Sequence, residues 1–377
     1  MLICVRHSSP TSKNTPSASN KLMERTSLGK ANIAAGAKLA LAAMLLPVGL
    51  VASPAAAQNA SEYVKPAARS VEPARPIAAI VPQERIATSI DLGRILLPGG
   101  SGGIIGSLLV SAADRTPEKL AAKAAAKAEE FSRPLTAAMG ELDAASLAQK
   151  ATTAAASETT WFAVGPAQLL AGESISKRLD GEVNVVPDTT VSMTYATGWI
   201  DEEANDTAGA FRWASERDRL EREFFTSQAD ASEFASVTWR YQLSADFTNI
   251  QVIADVELQK KGAASPYYAQ QLISIVKLRR PTFVEEDNVA IWAANDAAYA
   301  KTALTMAFER AGEVLPAILA LDEDGYETAT DKKRKSVTSA GFHGPELLRD
   351  EKGPVFFAKD GDQRLKAFVT VQTIRNR

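Results

Sequence analysis

The chain has 377 residues, with 42 Lys/Arg against 45 Asp/Glu, one Cys and two His. The formal net charge of −3 leaves no basic excess to track phosphates, which argues against nucleic acid as the main partner. The single cysteine is Cys4 and the histidines are His7 and His343, so thiolate chemistry and His-rich or Cys/His metal sites have almost nothing to work with.

The N-terminus reads as an export signal. Basic residues up to Lys38 lead into an apolar run over residues 39–52, and Ala55 and Ala57 then occupy small-x-small positions. At 14 residues the run is shorter than the roughly 20 a membrane span needs. The pattern predicts a signal peptide over residues 1–57, cleaved after Ala57, with Met23 as a possible true start. No Cys follows the run, so the signal is not that of a lipoprotein. Residues 1–57 hold six Lys/Arg and one acid, which leaves 36 basic and 44 acidic residues in the mature chain, a net of −8. The expected location is periplasmic or otherwise extracytoplasmic, including association with the outer membrane. No transmembrane span is expected in the mature chain.

Residues 58–95 mix Pro, Ala and charge without a period and read as a flexible linker. A Gly-rich segment and an Ala-rich helical hairpin follow over residues 96–158. The Gly-rich segment lacks the Lys of a phosphate loop after Gly106, and a dinucleotide fingerprint would put its third glycine on Ile105. Its simplest reading is a turn entering an apolar helix. The stretch between Gly99 and Val110 is also the expected contact with an envelope protein or a membrane surface. In the hairpin, Thr116 and Pro117 suit a helix start, and Pro134 should end or kink the first helix near residues 131–133. A second helix is expected over residues 135–156.

Residues 159–377 read as an α+β domain. Residues 191–197 alternate as a strand. Val237, Trp239, Tyr241 and Leu243 alternate with Thr238, Arg240 and Gln242, and residues 250–258 and 273–278 continue the theme. Residues 237–278 are therefore expected to form a three-stranded antiparallel meander with one apolar and one wet face. Residues 214–225 predict a charged helix with a solvated face. A long helix capped by Asp287 should run to about Leu315 and bury Ala300, Leu304, Phe308, Ala311 and Leu315, with Pro316 bending or ending it. A polar connector over residues 322–336 and a hairpin turning at Asp360, Gly361 and Asp362 complete the chain. The fold class expected is α+β: an Ala-rich helical hairpin, then an antiparallel β-meander with a long packed helix and a C-terminal β-hairpin.

The site chemistry is read mostly by exclusion. Gly99, Ser101 and Gly103 match a nucleophile elbow by letter, with His343 in the required chain order. Pro98 interrupts the strand that should feed that elbow, and His343 reads as a turn residue. Asp322, Asp324, Gly325 and Asp331 resemble part of a calcium loop, but Ala320 stands at the first ligand position and the closing Glu is absent. No residue is singled out as catalytic, cofactor-binding or metal-ligating, and no cofactor is expected.

The stretch from Trp239 to Leu258, preceded by the Gly-rich segment and its helix, resembles uncharacterised exported proteins of the Gram-negative cell envelope. That resemblance implies an envelope location and carries over no catalytic residues. The expected function is a non-catalytic envelope protein acting by binding or assembly. The alternative is a periplasmic ligand-binding or carboxylate-based carbohydrate-active domain, in which Trp239, Tyr267 or Tyr268 would line a pocket with carboxylates.

Overall fold

The computed structural model describes residues 60–69, 74–89, 117–140, 142–172, 208–228, 230–263, 265–359 and 366–376. The expected signal peptide, the Gly99 to Val110 segment with Ser101, Thr116, the strand expected at residues 191–197 and the turn at residues 360–362 lie outside them. The described residues form an α+β fold built on one ten-stranded sheet.

The meander expected from the alternation is at the centre of the sheet. Strands β4 (Glu233–Leu243), β5 (Asn249–Lys260) and β6 (Tyr268–Leu278) pair antiparallel in sequence order. On one side of β4 lies β1 (Ile77–Val81), parallel to it, with β3 (Gln168–Ala171) parallel beyond. The short β2 (Ala87–Thr88) continues along the same edge of β4. Between β1 and β2 the ladder is patched by the Gln83 side chain, whose Nε2 donates to Tyr241 O at 2.8 Å. On the other side β6 pairs parallel with β10 (Lys366–Ile374), followed by β9 (Gly353–Lys359), β8 (Phe342–Asp350) and β7 (Ser336–Ser339), each antiparallel to its neighbour.

Residues 77–81, read as linker, form a strand buried at every position, because a parallel strand covered on both faces needs a continuous apolar run such as IAAIV. His343, read as a turn residue, lies on β8, exposed, with Nδ1 2.8 Å from Thr338 Oγ1 on β7.

Five α-helices are described, besides a short 3-10 helix at Pro66–Arg69. α1 (Pro117–Met139) runs through Pro134 rather than stopping before it. One lost hydrogen bond does not outweigh the packing of this helix on the long helix α4 (Glu285–Leu319), and its end comes where Gly140 takes φ +51°. α2 (Ala144–Ser157) therefore starts later than expected, at the Asp143 cap, whose carboxylate accepts from Ser146 N at 2.8 Å. Both arms of the hairpin pack on α4. The small residues explain how closely: a Cβ on Gly312 would lie 3.0 Å from Ala151 Cα, so α2 and α4 touch backbone to backbone.

The stripe expected on α4 is buried throughout: Ala300, Leu304, Phe308, Ala311 and Leu315 are each at most 1% exposed. The start and the bend differ from expectation. Val284, not Asp287, is the N-cap residue, without a side-chain cap bond. The break falls at residues 294–297 rather than at Pro316, with Asn295, Asp296 and Ala297 all at positive φ. Three consecutive non-glycine residues in that region are costly, and the packing of both helical limbs holds them there. The segment read as a polar connector contains α5 (Glu323–Thr330), capped by Asp322, which accepts from Gly325 N at 2.8 Å.

The main core lies between the sheet and α1, α2 and α4. Trp239 lies fully buried in it, its ring tilted against that of Phe308 with centroids 5.3 Å apart and its Nε1–H donating to Thr152 Oγ1 at 2.8 Å. No described helix is long and apolar enough to cross a membrane.

Candidate functional site

The second face of the sheet was expected to be wet. It is covered instead. α3 (Ala208–Ser227) lies over the β1, β3 and β4 end, burying Leu220 and Phe224 against Ala78, Ile80, Leu170 and Phe234. At the other end Ile253, Ile273, Ile275, Phe356 and Val369 form a second apolar cluster with Val337 and Phe342 of the β7–β8 hairpin. Between these two apolar patches lies a polar strip, and over it a cleft with a cavity volume of about 360 Å³.

The strand register assembles its floor. Thr238 on β4 stands opposite Asp255 on β5, which stands opposite Gln271 on β6, while Glu257 lies two residues further along β5. Arg240 is two residues along β4 from Thr238 and is only 3% exposed. The roof is one stripe of α3 at four-residue spacing: Trp213, Arg217 and Glu221. Glu62 and Lys366, an ion pair, stand at the rim. The helix that was read as solvated thus turns two of its charges inward.

The charges pair across this space. Arg240 Nη2 lies 3.2 Å from Asp255 Oδ2, and Gln271 Nε2 donates to Asp255 Oδ1 at 2.5 Å. The Arg240 guanidinium also sits 4.7 Å from the centre of the Trp213 ring, with Arg217 5.7 Å from the same ring. The Trp213 indole N–H is buried and has no hydrogen-bond partner among the described residues. Arg217 reaches Asp218 at 2.9 Å and Glu221 at 3.9 Å.

Glu257 has no ion-pair partner among the described residues. Burial pushes its carboxyl up to about 7, and the nearby Glu221 and Asp255 push the same way against the weaker pull of Arg217. Burial also raises Glu221, against the opposing charge of Arg217. Near neutrality the Glu257 carboxyl is therefore divided between its two forms, able to donate or to accept a hydrogen bond. A carboxyl tuned in this way inside a cleft is a functional-site signature.

Other buried charges read as structural staples. Arg75 is fully buried, donates to Glu233 at 2.8 Å and lies 5.6 Å from the Trp161 ring centre, with Tyr267 Oη donating to the same carboxylate. Arg310 clamps Asp350 with two bonds of 2.6 and 2.9 Å, tying the β8–β9 turn to α4 and holding the Asp350 carboxyl below its ordinary range.

The aromatics named from the sequence do not meet in a pocket. Trp239 and Tyr268 are sealed in the main core, and Tyr267 belongs to the Arg75 cluster. The Asp322 and Asp324 pattern is the start of α5, and among the described residues no group of three or more His, Cys, Asp or Glu is placed to hold a metal ion. The cleft residues were missed because Thr238, Arg240, Asp255 and Glu257 alternate as an outward face would. The available signal was in α3, where Trp213 and Leu220 share a helix face with Arg217 and Phe224. No family model, curated protein or solved structure matches this chain.

Proposed function

We propose that this protein is an exported, non-catalytic binding domain that holds a small polar molecule in the cleft between α3 and the sheet. One observation carries the reading. Where apolar packing covers the sheet on either side, this strip sets a buried Arg240 and the half-buried carboxyls of Asp255, Glu257 and Glu221 around open space. Buried charges without a ligand are a weak route to stability, since desolvation offsets most of their attraction. The volume falls at the small end of ligand sites, and the lining offers donors and acceptors in place of an apolar wall. A molecule bearing hydroxyl or amine groups suits it.

Thermal unfolding against a panel of monosaccharides, amino acids and polyamines tests the proposal. At least one compound class should raise the wild-type Tm, and Glu257→Gln or Trp213→Ala should abolish that rise while leaving the unliganded fold intact. A panel without effect, or a shift indifferent to both substitutions, contradicts it.

A second reading is favoured by Glu257 alone. A carboxyl raised to about 7 beside another carboxylate is equipped as a general acid for glycoside hydrolysis. Turnover of a chromogenic glycoside by the wild type, lost in Glu257→Gln, would select it over simple binding.

The location rests on the presequence. Chain recovered from the soluble periplasm is expected to begin at Gln58, which intact-mass measurement reads directly. Full-length chain in the cytoplasm contradicts export.

A further inference from the structure

The loop between β6 and α4 presents the most exposed large apolar side chain among the described residues. Phe283 is 109% exposed relative to its reference and Val284 is 49% exposed. Isolated exposed apolar residues are ordinary, but this one is held out by a built support. Asn376, after β10, reads the backbone of Arg280 with both ends of its amide. Its Oδ1 accepts from Arg280 N at 3.0 Å and its Nδ2 donates to Arg280 O at 2.9 Å. Asn288, on α4 and 1% exposed, does the same for Thr282, at 2.8 and 3.1 Å. The Thr282 hydroxyl closes the turn by donating to Val284 O at 2.7 Å and accepting from Val284 N at 3.1 Å. Two side-chain amides and a proline thus fix a six-residue tip whose side chains contribute nothing to the core. A rigid apolar tip loses little conformational freedom when it is covered.

The charges around the tip are divided. Arg279 and Arg280, joined by Arg375 through the β6–β10 pairing, stand exposed on the sheet side. Glu286 and Asp287 stand exposed on the other side, in the first turn of α4. An anionic lipid surface would attract one half of this patch and repel the other. A twofold axis through Phe283 would set the arginines of one copy against the carboxylates of the next, with the two apolar tips between them. That is the self-complementarity an isologous contact requires.

We propose that residues 279–287, the loop and the first turn of α4, form a homodimer contact, and that the partner is a second copy of this chain. The inference does not depend on the cleft. A contact of one loop and its flanks falls below the roughly 1,200 Å² of a standard interface, so the dimer is weak and concentration-dependent.

Sedimentation equilibrium of the purified chain across a concentration series tests it. The wild type should move from monomer to dimer, and more weakly at high salt, because the rim pairs are screened. Phe283→Asp should weaken dimerisation by about tenfold or more, as removal of a central anchor does. Val164→Asp, at the other large apolar side chain that is fully exposed among the described residues, should leave it unchanged. Arg279→Glu with Arg280→Glu should also weaken the dimer, and adding Glu286→Arg with Asp287→Arg should restore it. Circular dichroism confirms that each variant is folded. A wild type that stays monomeric overturns the proposal, as does a dimer that survives Phe283→Asp or charge reversals that fail to compensate. Monomers that sediment with phosphatidylglycerol vesicles through Phe283 would assign the loop to a lipid surface instead.

Discussion

Trp239→Ala is expected to destabilise the fold by about 3–5 kcal/mol, the range for a large aromatic deleted from a packed core. Trp239 is fully buried, and its ring meets Phe308 from α4 while its indole N–H meets Thr152 from α2. It therefore ties three elements, and their backbones cannot collapse into the space because the Ala151–Gly312 contact already sets the distance between α2 and α4. Trp239→Phe should cost less, since most of the apolar volume stays and Thr152 Oγ1 still donates to Ala148 O at 2.9 Å. Thr152→Val keeps the shape but leaves the indole N–H buried without an acceptor, at about 1–3 kcal/mol. Urea midpoints at constant m value would rank the three variants. A Trp239→Ala protein with a wild-type midpoint would place the core elsewhere.

The second large effect is on the pH dependence of stability. The Glu257 carboxyl has an ordinary value of 4.5 and lies at about 7 in the folded chain. The folded state therefore binds the proton more tightly than the unfolded state. The associated stability is fully present below about 4.5 and is lost as the pH rises through about 7. The loss attributable to this group is about 2–3 kcal/mol between those limits, allowing for residual solvent access. Other groups titrate over the same range, so the informative quantity is the difference between the wild type and Glu257→Gln. Glu257→Gln should gain on the wild type as the pH rises from 5 to 8, because the amide never has to carry a buried charge. Parallel profiles for the two proteins would show that Glu257 is solvated as a free carboxylate, and the cleft would lose its tuned group.

Much of the frame was legible because period and burial agree. The alternation of Val237, Trp239, Tyr241 and Leu243 gave the central strand and its core face, and the stripe through Ala300, Leu304 and Phe308 gave the covering helix. β1 was illegible for the opposite reason. IAAIV has no period, because both its faces are covered, and it sits among prolines that suggest a linker. Its pairing with β4 spans more than 150 residues, a distance that local patterns do not encode. Pro134 shows a local rule overridden by packing, since α1 continues through it against α4.

The candidate site was half visible. The polar face of β4 and β5 was read correctly as polar and wrongly as wet, since alternation says which residues share a face and not what lies over that face. That depended on α3, whose many charges suggested a solvated helix. Its exposed pairs do behave that way, with Arg219 bridging Glu216 and Glu223. Trp213, Arg217 and Glu221 lie on another stripe of the same helix. There, charge paired with a tryptophan marks a buried polar contact.

Native mass spectrometry of the protein recovered from its producing cells, beside Glu257→Gln prepared in the same way, tests the binding claim most directly. A small polar molecule retained by the wild type and absent from the variant is the expected result. Identical unliganded masses, together with a wild-type Tm that no compound of the panel raises, would contradict the assignment of the cleft as a binding site.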